Sequence, residues 1–144
     1  MKITRRSQAG SALLEFALGF AILVPVLVGA VQLTVAALQI QQLSAAVHRA
    51  ARQASESDWD GDGAQLRTEA QNLVLYGTRQ EATMPLFAGL RREHVMVETQ
   101  TVSGAPRRIS IWIENLELDL PAGKQTLRGK PKATFPFRGL YSSR

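Results

Sequence analysis

Three observations predict an α+β chain: a run of 23 uncharged residues near the N-terminus, a second stretch of apolar residues at helical spacing, and two stretches of apolar alternation in the C-terminal half. The run from Phe16 to Leu38 reads FALGFAILVPVLVGAVQLTVAAL. As a helix it rises about 34 Å, enough to cross a hydrocarbon core of about 30 Å. A buried core helix of this length would need more protein around it than a chain of 144 residues has left, so residues 16–38 are expected to lie in a membrane. Pro25 removes one helical hydrogen bond and its ring presses on the Ala21 carbonyl, which predicts a bend that membrane helices tolerate. Gly19 and Gly29 permit close helix approach, although they are not in GxxxG spacing.

Past the apolar run, Leu43, Ala46, Val47, Ala50 and Ala54 keep helical spacing, with Gln42, Arg49, Arg52, Gln53 and Glu56 opposite. The N-terminal helix is therefore expected to occupy residues 11–57 and to end near Ser55, apolar in its first half and amphipathic in its second. After SESDWDGDG, a second short helix follows from Leu66, Ala70, Leu73 and Val74, stopped by Gly77. Residues 77–93 read as irregular, with Pro85 and Gly89 as breakers. Val95 and Val97, then Ile109, Ile111 and Ile113, alternate with polar or outward residues and predict strands. The alternation changes phase at Glu114–Asn115, where a bulge or bend is expected. PAGK at 121–124 reads as a turn and KATFPF as a last strand, which Pro136 confines to an edge. Residues 58–144 thus form one α+β domain with a small antiparallel sheet.

The formal net charge is +5, and removing Lys2, Arg5 and Arg6 from the 17 basic residues leaves 14 against 12 acidic ones. A nearly neutral body argues against a nucleic-acid partner. Cysteine is absent, which excludes disulfides, thiolate metal sites and a lipoprotein attachment point. Lys2, Arg5 and Arg6 all precede the apolar run, so residues 1–10 form a cytoplasmic basic leader and the chain beyond about residue 40 is exported.

The stretch AGSALLEF, residues 9–16, sets a carboxylate, Glu15, at the mouth of the apolar run. Two kinds of processing fit the leader. Val28-Gly29-Ala30 would suit a signal-peptide cut before Val31, releasing a soluble binding domain. The apolar run, however, continues through Val35, Ala36, Ala37, Leu38 and Ile40, which such a domain would have to expose. Alternatively the leader ends at Gly10, and Glu15 becomes the fifth residue after a cut before Ser11. This arrangement resembles the class III leader of type IV pilins and pseudopilins, which a prepilin peptidase cleaves. The resemblance implies that Glu15 neutralises the new amine of a neighbouring subunit, an ion pair that offsets the cost of stranding either charge in lipid. Without such a role, Glu15 is only an acid in a first helical turn, suited to the helix dipole.

The similarity extends farther. GSALLEFALGFAILVPVLVGAVQL resembles the start of TadE-like proteins, minor pseudopilins of tight-adherence (Tad, Flp-type) pilus systems. LVLYG at 73–77, HVMVE at 94–98, RRISIWIEN at 107–115 and GKPKATFPFRG at 129–139 follow in the order associated with that family. The resemblance implies a pilin-like fold and a non-enzymatic subunit without a cofactor. It also implies a single pass through the bacterial inner membrane, N-terminus cytoplasmic and C-terminal domain periplasmic, in the bilayer or in the pilus. The implied partners are prepilin peptidase, other minor and major pilins, and the inner-membrane platform with its ATPase. Phe16 stands where major pilins of this type commonly carry tyrosine, which points to a minor component. An unprocessed single-pass anchor is a third reading.

Other motifs are more tempting than specific. Asp58, Asp60, Asp62, Gly63 and Glu69 satisfy an EF-hand loop pattern, and calcium would be the ligand of the released-domain reading. Gln65 stands where a β-branched residue is usual, and no second hand is present, so an acidic helix–helix connection explains the same letters. His48 and His94 have no acid nearby in sequence and read as structural rather than metal-binding or catalytic. No nucleophile elbow or glycine-rich phosphate loop is present, and no enzyme is predicted. Trp112 faces away from the isoleucine face, either packed under the long helix, the favoured placement, or exposed as a contact residue. Phe135 and Phe137 carry the same ambiguity.

Overall fold

A computed structural model describes residues 6–59, 61–120 and 123–140. The first helix, α1, runs Arg6–Ser55 for 50 residues, about 75 Å at 1.5 Å per residue. It starts at Arg6, five residues before the expected boundary, and stops at Ser55, with Glu56 and Ser57 in the turn that follows. The helix continues through Pro25. The Thr34 hydroxyl folds back onto the Ala30 carbonyl (2.9 Å), so this polar side chain is satisfied within the apolar segment.

Burial divides α1 in two. From Gly10 to Gln42 every residue is exposed except Gly29 and Ala36, which are half-buried, whereas Leu43, Val47, Ala50, Ala51 and Ala54 are buried. The buried stripe recurs every three to four residues, as an amphipathic helix requires. Against it packs α2, Ala64–Tyr76, through Leu66, Ala70, Leu73 and Val74. Gly77 ends α2 in a left-handed conformation (φ 73°), and its N–H donates to the Leu73 carbonyl.

The sheet has three antiparallel strands in sequence order: β1 Val95–Val102, β2 Ala105–Leu120 and β3 Gly123–Pro136. A 3₁₀ turn at Arg92–His94 leads into β1. Ile109, Ile111 and Ile113 are fully buried in the core shared with α1 and α2. The phase change in β2 is real: register shifts flank Glu114, Asn115 takes a positive φ of 54°, and Leu116 rejoins the core beyond it. One inserted residue lets odd-numbered isoleucines and an even-numbered leucine share a face. The last strand is longer than KATFPF, because Gly123–Arg128 also pair with the far half of β2. Those residues are mostly exposed and lack apolar alternation, so the sequence gives no periodic signal for them. Pro121 and Ala122 of the expected turn lie outside the described residues, and Gly123 and Lys124 already belong to β3. Pro136 sits on an edge strand, as its missing N–H demands.

Trp112 is not a core residue. It is half-buried on the outer face of the sheet, with the Lys132 ammonium 5.0 Å from its ring centroid. The side chain follows strict alternation, which turns it away from the isoleucine face and hence from the helices. Phe135 and Phe137 pack on the core side, Phe135 edge-on to His48 and Phe137 edge-on to Trp59.

The segment after β3 closes the C-terminal end of α1. The Ser55 carbonyl accepts the N–H groups of Arg138 (2.7 Å) and Gly139 (3.0 Å), and the Trp59 N–H donates to the Leu140 carbonyl (3.1 Å). Carbonyls in a helix's last turn have no intrahelical partner, and this segment supplies one. A Cβ on Gly139 would collide with the Ser57 carbonyl oxygen. Gly139→Ala is accordingly expected to destabilise the C-terminal domain by about 1–3 kcal/mol, read as a lower urea midpoint by tryptophan fluorescence of the detergent-solubilised chain.

Candidate functional site

The residues singled out for processing lie in the first described turns of α1. Gly10, Ser11 and Glu15 are all exposed. Ser11 and Glu15 stand four residues apart and share a helix face, about 6 Å from one another along the axis. Among the described residues the Glu15 carboxylate makes no hydrogen bond or ion pair. Of the leader residues, Lys2 and Arg5 lie outside the described residues, and Arg6 is the first residue of α1.

Beyond Glu15 the helix is an apolar rod. Phe16 and Phe20 stack one turn apart (centroids 5.9 Å), and Leu13, Phe16 and Ile22 each expose about 70% of their surface. Among the described residues one helix, Gly10–Ser55, is long and apolar enough to cross a membrane, and none of its most apolar window is buried. Burying such side chains is worth about 1.5–3 kcal/mol each. This surface is therefore built to be covered by something outside the fold.

The acidic loop has structural duties. The Asp62 carboxylate accepts the Ala64 N–H (2.9 Å) at the start of α2, and Glu69 accepts from the Gln65 side-chain amide (3.0 Å). Gly63, at φ 72°, lies against the Trp59 ring so closely that a Cβ there would be 2.7 Å from it. Asp60 lies outside the described residues. Among the described residues no three His, Asp or Glu side chains gather as metal ligands would.

The two histidines are apart and each has a local role. His48 lies edge-on to Phe135 (6.3 Å), while His94 Nδ1 accepts the Arg91 N–H (3.1 Å) and closes the 3₁₀ turn. Sequence reasoning did not find a groove of about 490 Å³ where α1 leaves its apolar stretch. Gln39, Ile40 and Leu43 line it from the helix, with Leu86–Gly89 and Leu116–Leu118 opposite. The one signal for it was the absence of charge in ATMPLFAGL, residues 82–90.

Residues 10–52 match the family model described as TadE-like protein. Over these residues, somewhat under a third of its length, the chain is similar to TadE-like proteins. The match opens at Gly10, includes Ser11 and Glu15, and runs through the exposed apolar half of α1 into its buried stripe. The matched segment and the exposed helix together fit a membrane-anchored protein. The C-terminal stretches that also resemble the family lie beyond the matched residues. No curated protein and no solved structure matches the chain.

Gly63→Ala is expected to lower stability by about 1–3 kcal/mol and to shift Trp59 emission, since the substitution meets both a left-handed backbone and a ring. Calcium titrated calorimetrically into the natural chain and into an Asp58→Ala, Glu69→Ala variant should give equal heats. Heat lost in the double variant would restore the loop as a metal site.

Proposed function

We propose that the chain is a pilin-like minor subunit, a pseudopilin, in the assembly of a Tad/Flp-type adhesion pilus, acting by helix packing in the inner membrane. The observation that carries this reading is the TadE-like segment 10–52, whose residues 10–42 form an exposed, largely apolar helix with a lone carboxylate near its start. The leader with Lys2, Arg5 and Arg6 stays in the cytoplasm, and the domain from residue 58 onward is periplasmic.

Prepilin peptidase removes the leader after Gly10. Glycine has a lower helix propensity than any residue but proline, so Gly10 is where the first turns of α1 open most cheaply. The cut puts a positive amine on Ser11. A charge held in low dielectric without a partner is costly, and Glu15 supplies the opposite sign to the amine of a neighbouring subunit. Lateral packing then covers the apolar rod, with Gly19 and Gly29 as points of close approach. Other minor and major pilins are the neighbours, and the platform with its ATPase moves them. The chain contributes surfaces and one ion pair rather than a reaction.

Release by a cut after Ala30 is less well supported. The helix passes through Ala30 and Val31 without a break, and Val31, Leu33, Val35, Leu38 and Ile40 are all exposed. A product starting at Val31 would carry that surface into water.

The intact mass of the protein from its native membrane is expected to correspond to a start at Ser11. A start at Val31 or Met1 would replace the reading with a secreted domain or an unprocessed anchor. Gly10→Ala should leave the start at Met1. Glu15→Gln should still be processed but should lower the amount of surface pili; unchanged pilus abundance would exclude the ion-pair mechanism.

A further inference from the structure

Resting on the membrane-spanning reading of α1, the position of the 82–90 loop has a geometric consequence. The apolar run ends at Leu38, and Leu43 lies only about 7.5 Å farther along the helix axis. The headgroup layer on each side of a hydrocarbon core is about 5–7 Å thick. Residues 39–43 therefore stand at headgroup level, and so does whatever packs beside them. The loop Leu86–Gly89 does so, lining the groove with Gln39, Ile40 and Leu43.

This loop is held in place from the inside. The Leu86 N–H donates to the Leu75 carbonyl (2.7 Å) at the end of α2, Leu90 is buried, and Phe87 packs against the core. With those residues turned inward, Met84 and Leu86 point out and are 80% and 56% exposed. Residues 82–90 carry no charge, while Arg79 and Glu81 precede them and Arg91, Arg92 and Glu93 follow. Outside α1, the other large apolar side chains exposed among the described residues are Met96, Val102 and Leu140, none within two residues of another. Leu86 belongs to the groove lining and Met84 stands two residues before it, so the two form an exposed apolar pair next to the level where apolar side chains enter lipid.

We propose that this loop is a second membrane contact, with Met84 and Leu86 inserted into the interfacial region of the bilayer that α1 crosses. The contact fixes the rotation and tilt of the exported domain, which a single helix leaves free. Its occupant is lipid, and its continuity with the membrane-spanning surface of α1 is what favours lipid over a protein partner.

The chain has no native cysteine, so single-cysteine probes report one position each. The full chain carrying Met84→Cys, Leu27→Cys or Val102→Cys is labelled with an environment-sensitive fluorophore. Each is reconstituted in phosphatidylethanolamine/phosphatidylglycerol vesicles. Leu27 reports the span, and Val102, at the β1–β2 turn away from the groove, reports the aqueous side. The expected result at Met84 is a blue-shifted emission that is quenched by lipids brominated near the acyl carbonyls and protected from iodide. Val102 should show the reverse. Iodide quenching at Met84 equal to that at Val102, with Leu27 still lipid-quenched, overturns the contact and leaves the span intact. Protection from both quenchers at Met84 overturns it in favour of a protein cover. Iodide access at Leu27 overturns the span and the contact together.

Discussion

The constraint on which the whole structure depends is an uncovered surface. From Gly10 to Gln42 no residue of α1 is buried, and the buried stripe that carries the core of the domain begins at Leu43. Apolar area of this extent is stable only in lipid or against other helices. The division at residue 42 therefore assigns two environments to one continuous rod. The small sheet and α2 can be modest because they need to cover only the amphipathic half.

Most of the architecture was legible because its signals are periodic. The isoleucines at 109, 111 and 113 alternate without exception, and Leu66, Ala70, Leu73 and Val74 repeat as a helix must. Even the bulge was visible as a change of phase at Asn115. What escaped was structure without burial. Residues 123–128 form strand by pairing with β2 while remaining mostly exposed, so no apolar pattern marks them. Trp112 was misplaced for a different reason: its size suggested core, while alternation set it on the outer face beneath Lys132. Alternation is fixed by backbone geometry and outranks side-chain size.

The candidate site divides similarly. Gly10, Ser11 and Glu15 could be picked out locally, because a glycine, the residue after it and an acid at fixed offsets carry a chemical meaning in a chain read linearly. The groove beside Gln39–Leu43 could not, since it joins segments more than forty residues apart in sequence. The acidic loop is the converse case. Its letters fit a calcium motif, while Asp62 accepts the Ala64 N–H, Glu69 accepts from Gln65 and Gly63 makes room for Trp59, so local hydrogen bonding and packing give these three residues other roles.

The closure of α1 by residues 138–139 also determines how the molecule responds to tension. When α1 is drawn along its axis, the pull reaches Ser55 and passes straight to the edge of the sheet through two N–H donors acting in parallel. These bonds act beside the covalent connection that follows Ser55, so a load on the helix has a second route to the end of β3.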